Sequence, residues 1–83
     1  MYVLRYDARI EKELRSIAQK DQLRILQKTA ALKINPRAHG VEKLEAAQGY
    51  RLRVGDYRVL FHIDDASKTV TVHHVKHRRE AYR

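Results

Sequence analysis

The chain has 83 residues, 18 lysines and arginines against 10 aspartates and glutamates, a net charge of +8, and no cysteine. A chain this short buries only about 60% of the surface its unfolded form exposes, so it makes one domain with one small core and no enclosed reaction chamber. Disulfide frameworks and thiolate metal centres are excluded, and no run approaches the ~20 apolar residues of a membrane span.

The first six residues lack the basic start and long apolar run of a secretory signal. With the absence of cysteine, this sets the expected compartment as the reducing cytoplasm. The basic excess is spread evenly: residues 1–40 carry nine basic and four acidic groups, and residues 41–83 carry nine and six. A folded basic surface, rather than a basic arm, implies a polyanionic partner.

Residues 1–6 alternate and include the β-favouring Tyr2, Val3 and Tyr6, which predicts a first strand. Asp7 stands where a helix N-cap belongs. Ile10, Leu14, Ile17 and Ala18 then recur at helical spacing. A break at Gln19-Lys20 leads to Asp21, a second candidate cap. Leu23, Leu26, Ala30 and Ile34 predict a second amphipathic helix with that stripe inward, ended by Asn35-Pro36. Residues 37–49 read as loop, with a short extended piece near Lys43-Leu44.

From Tyr50 the period becomes two. Residues 50–54 and 57–63 flank Gly55-Asp56, a tight-hairpin signal. A turn over 64–67 precedes a last strand over 68–75, and a basic tail follows. The order βααβββ makes an α+β domain over 1–83, an antiparallel-rich twisted sheet packed on a two-helix hairpin.

The two-residue turn fixes the register of its hairpin. Val54 faces Tyr57, Leu52 faces Val59 and Tyr50 faces Phe61, an apolar face that belongs under the helices. On the other face Arg53 lies opposite Arg58, and Arg51 lies beside Leu60. With the turn at 64–67, Val70, Val72 and His74 join the core side. His73 then falls in the row of Arg53 and Arg58, with Thr71 and Val75 on the same face; a five-residue turn would reverse every side chain. Like charges directly across a strand pair are destabilising. Guanidinium groups offer forked donors that match phosphate, so a row of arginines on a rigid platform points to an anion site. The structural alternative is that they reach acids of the 37–49 loop, Glu42 or Glu45.

The run Tyr50-Arg-Leu-Arg-Val-Gly-Asp-Tyr-Arg-Val-Leu-Phe61, followed by Val75-Lys-His-Arg-Arg-Glu-Ala-Tyr82, resembles the RelE/ParE superfamily of bacterial toxins over essentially the whole chain, and its histidine, arginine and tyrosine tail resembles the RelE branch. The resemblance implies a RelE-like fold. It also implies a metal-independent, cofactor-free endoribonuclease that cleaves mRNA on the ribosome and is held inactive by a cognate antitoxin protein. The ParE branch instead poisons DNA gyrase. On the same resemblance, Arg58 and Arg78 are the phosphate-stabilising arginines and Tyr82 stacks on the substrate and assists proton transfer. Arg53 completes the catalytic set, and Arg51, Lys43, Lys76, His77 and His73 bind RNA.

There is one departure. The best-known nuclease of the branch carries lysines at the positions of Arg51 and Arg53, and arginine cannot act as a general base. His77 and His73 are candidates for that role because imidazole titrates near neutrality. Arg58 and Arg78 are both expected at the surface. Two alternatives stay open: a ParE-type gyrase inhibitor, and a basic RNA-binding domain without catalysis.

Overall fold

The computed structural model describes residues 1–44 and 49–81, with the backbone alone at 80 and 81. Strand β1 (Val3–Tyr6) leads into helix α1 (Arg9–Arg15), and Asp7 terminates the strand by accepting the Arg9 backbone N–H on Oδ1 at 3.1 Å. That bond satisfies one of the first-turn donors, the task expected of Asp7, although the cap position itself is Ala8.

The two helices part earlier than the sequence predicts. Helix α2 spans Gln19–Ala30, so Gln19, Lys20 and Asp21 are its first turn and the break lies at 16–18. Gln22 holds the bend: its Nε2 donates to the carbonyls of Leu14 at 2.7 Å, in the last turn of α1, and of Ile17 at 2.8 Å, in the break.

The inward stripe of α2 is also different. Ile25 and Thr29 are buried, and Leu32 in the following 3-10 turn (Ala31–Lys33) continues the row. Leu23 and Ile34 stand 55% and 76% exposed, and Leu26 and Ala30 are exposed as well. The reason is polar satisfaction. Thr29 Oγ1 bonds the Tyr6 hydroxyl at 2.8 Å and the Leu26 carbonyl at 3.1 Å, so threonine can be buried without an orphaned hydroxyl. The sheet then takes the face that carries Ile25, Thr29 and Leu32.

Strands β2 (Val41–Lys43), β3 (Tyr50–Val54), β4 (Tyr57–Asp64) and β5 (Thr69–His77) complete a sheet of order β1-β5-β4-β3-β2, and a short helix α3 (Arg78–Ala81) follows. The α+β class and the hairpin register stand as read. β1 pairs with β5 in parallel and the other pairs are antiparallel. Val59, Phe61, Val70 and Val72 form the centre of the core, with Ile10, Ile17, Ile25 and Leu32 laid over them from the helices.

The last strand departs from the predicted register. Asp64 pairs with Thr69, so the turn is 65–68, with Lys68 in the left-handed region at φ 54°. Shifting both ends by one keeps Val70 and Val72 in the core. A bulge then intervenes: Phe61 pairs with Val72 but Leu60 with His74, leaving His73 as the extra residue. Beyond it every side chain changes face. Val75 is therefore buried, His74 leaves the core, and Lys76 rather than His73 stands opposite Arg58.

Candidate nucleic-acid interface

The β3–β4 hairpin builds the site. Gly55, the first central turn residue, has φ 58° while Asp56 stays out of the positive region, the pattern of a turn that matches strand twist. Its register sets Arg53 across from Arg58, and β5 adds Lys76 across from Arg58. Three cations thus lie side by side across three strands.

The turn also seats the second half of the site. The Arg78 backbone N–H donates to the Asp56 carbonyl at 2.7 Å, and the Arg78 guanidinium lies 4.0 Å from the Asp56 carboxylate. That contact starts α3 directly beside the arginine row. The result is an open hollow of about 430 Å³ lined by Arg53, Arg58, Arg78 and Arg79. Arg58, 3% exposed, is its floor and the other three are its rim. Arg58 is therefore not the surface residue that the sequence suggests, and an alanine there disturbs packing as well as charge.

Arg51 lies on the same face, one row along, and is tied to Glu42 across the β2–β3 pair by an ion pair. Hydrogen bonding from Arg51, reinforced by the charges of Arg51, Arg53 and Arg58, holds the Glu42 carboxyl below the usual carboxylate range. Glu42 entered the sequence reading only as a neutralising partner. Its position across from Arg51 on an edge strand needed the pairing of β2, which three residues in a loop do not announce.

Arg53, Arg58, Arg78 and Lys76 come together as expected, and Arg79 joins them; its place beside Arg78 in the basic tail was the available signal. Other expected residues stand elsewhere. His77 pairs with Tyr57 on the core side, its ring edge-on to the tyrosine at 5.4 Å, and lines a cleft with Glu13 and Ile17 of the α1 side. Lys43 pairs with Tyr50, whose ring stacks on Phe61, so register puts it on the core side of the sheet too. His73 stacks on His62 further up the sheet, with ring centroids 4.3 Å apart. Tyr82 lies outside the described residues.

Chemically, the hollow offers several forked cationic donors at a fixed spacing and suits a phosphate whose charge grows during reaction. A small α+β domain with this hollow is a compact, sheet-based domain with an anion-directed face. The sequence profile of a family described as "ParE toxin of type II toxin-antitoxin system, parDE" matches residues 4–82. The chain is a member of the RelE/ParE superfamily of type II toxins.

Solved structures agree. The chain is similar to the archaeal RelE of the RelE-RelB complex from Pyrococcus horikoshii OT3, at 28% identity and a TM-score of 0.83 over 93% of this chain and 94% of that one. It is similar to an E. coli RelE mutant in complex with a peptide of the antitoxin RelB, at 27% identity and a TM-score of 0.77 over 98% and 90%. The RelBE2 complex of Mycobacterium tuberculosis shares the fold, at 23% identity and a TM-score of 0.80 over 92% and 96%. No curated protein matches the chain. Among the described residues no helix is long and apolar enough to cross a membrane.

Proposed function

We propose that this toxin is a ribosome-associated endoribonuclease that cleaves mRNA, stops translation in the cytoplasm, and is held silent by a cognate antitoxin. The observation that carries the reading is the hollow of Arg53, Arg58, Arg78 and Arg79, a cationic pocket on an open sheet face with room for a phosphate and its neighbouring sugar. The RNA 2′-hydroxyl attacks its neighbouring phosphorus, the bond to the 5′-oxygen breaks, and a cyclic phosphate forms. Arg58 and Arg78 stabilise the charge on the phosphoryl oxygens, with Arg53, Arg79 and Lys76 holding the backbone. The route needs no metal. Glu42, an ionised carboxylate on this face, takes the 2′-hydroxyl proton once RNA phosphate has displaced it from Arg51. Tyr82 keeps its proposed roles of stacking on the base and giving a proton to the departing 5′-oxygen, which leaves as the 5′-hydroxyl.

The antitoxin partner is supported by the similarity to RelE toxins solved with RelB-type antitoxins. A second reading, a ParE-type inhibitor of DNA gyrase, is favoured by the family profile, whose description is the ParE toxin. One experiment separates them. Wild type and Arg53→Ala/Arg78→Ala, both exposed positions, are expressed inducibly while mRNA 5′ ends and plasmid supercoiling are followed. New mRNA ends on ribosomes that fall by about 10²-fold or more in the variant support the nuclease. Intact mRNA with altered supercoiling moves the assignment to gyrase.

A further inference from the structure

The arginine face does not end at the hollow. β4 runs from Arg58 through Leu60 to His62 with period two, so all three share the face; β3 pairs with Arg58 and Leu60, and β5 pairs with His62 through Thr71. At ~3.3 Å per residue His62 lies about 13 Å from Arg58, within reach of a flanking nucleotide of a strand whose phosphate sits in the hollow. Here the chemistry of the surface changes from forked cations to flat rings.

His62 is exposed and stacks on His73 at 4.3 Å between centroids, with planes 17° apart. The bulge in β5 creates this pair, because the extra residue is His73 itself. His73 is braced from behind. His74 meets it edge-on at 5.2 Å and is itself fixed by Glu13 and Arg9, with Nδ1 at 3.4 Å from a Glu13 carboxylate oxygen and Nε2 at 2.9 Å from an Arg9 guanidinium nitrogen. Burial and the neighbouring His62, His74 and Arg9 charges hold the His73 imidazole below its ordinary pKa, against a smaller opposing pull from Asp7, and so favour the neutral ring. Stacked rings on a rigid backing, at the far end of a phosphate-binding face, have the form of the platforms on which single-stranded nucleic acid lays its bases.

We infer that the His62–His73 stack is a base-binding subsite of this toxin, taking the nucleobase of a nucleotide flanking the scissile phosphate. The inference rests on the RNA reading of the arginine hollow. Stacking accepts any base, so the subsite supplies affinity and alignment rather than sequence choice.

The test is fluorescence anisotropy of short single-stranded RNAs, 2′-O-methylated to block cleavage, at low salt. Each is matched with RNAs carrying one abasic residue at successive positions. His62→Ala is expected to bind intact RNA about tenfold more weakly, the scale of one base–aromatic stack. The variant should equal wild type on the RNA whose flanking base is missing, and His62→Phe should bind like wild type. If His62→Ala binds every RNA as wild type does while Arg53→Ala/Arg78→Ala loses affinity, there is no platform and the RNA reading stands. An equal loss on intact and abasic RNAs also overturns stacking. Failure of wild type to bind any of the RNAs removes the hollow's RNA reading together with the subsite.

Discussion

Glu42 and Arg58 show how much one residue's surroundings decide. Arginines at 51 and 53 leave those two strand positions without a group that can give up its proton, and the structure moves His77 to the core side and His73 up the sheet. The carboxylate of Glu42, ion-paired to Arg51, lies on the arginine face one row from the Arg53–Arg58 pair, placed to accept a proton. Glu42→Gln keeps the shape and removes the base. The expected outcome is cleavage slowed by about 10²-fold or more, with RNA affinity equal to or above wild type because Arg51 is released to phosphate. Single-turnover cleavage beside anisotropy reads both quantities, and a variant with undiminished cleavage would assign proton transfer to another group. Arg58 asks for different treatment. As the floor of the hollow, 3% exposed, it contributes packing through its stem, so loss of activity in Arg58→Lys, which keeps charge and bulk, is the sharper test of forked recognition.

At the level of elements, α2 makes a prediction that its sequence would invert. Ile25→Ala should destabilise the fold by about 2–4 kcal/mol, as for other buried large-to-small changes. Leu23→Ala and Ile34→Ala, on the exposed side, should stay within ~0.5 kcal/mol. Urea denaturation of the variants checks the order, and a Leu23 change as costly as Ile25 would contradict the packing. The hairpin was legible because a glycine-first, two-residue turn leaves only one pairing, so the opposition of Arg53 and Arg58 could be counted from the chain. Helix α2 was not legible because leucines flank both sides of it. The choice of face turns on a hydrogen bond between Thr29 and Tyr6, a partner 23 residues away. The bulge at His73 was invisible for a similar reason: an alternating strand gives no sign that one residue is extra, and that residue decides whether Lys76 or His73 joins the arginine row. Gly55→Ala probes the legible part. A side chain at φ 58° costs about 1 kcal/mol, and because the turn carbonyl of Asp56 seats Arg78, RNA binding should fall further than that loss of stability explains.

Over the whole molecule, tolerance of acid follows from two clusters at opposite ends of the histidine range and the carboxylate range. The loop after the helices is clasped to the β4–β5 turn by Arg37. Its guanidinium bonds both Asp65 carboxylate oxygens at 3.0 and 2.8 Å, and its Nε donates to the Tyr50 hydroxyl at 3.3 Å. The Tyr2 hydroxyl adds a third bond to Asp65 at 2.7 Å, so the N-terminal segment joins the clasp. Hydrogen bonds from Arg37 and Tyr2 bring Asp65 from the ordinary 3.8 down to about 2. A carboxyl lowered by folding contributes stability that is complete above its unfolded pKa and is lost as pH falls from there through about 2. His73 acts in a higher window. Its folded pKa lies below the ordinary 6.5, chiefly through burial and then through His62, His74 and Arg9. The unfolded chain therefore takes up this proton first, and stability declines as pH drops below 6.5. Denaturant midpoints across the acid range should consequently fall in two stages. His73→Gln should flatten the upper one while leaving the lower, and Asp65→Asn should flatten the lower while leaving the upper. A single decline, untouched by either change, would place the acid sensitivity outside both clusters.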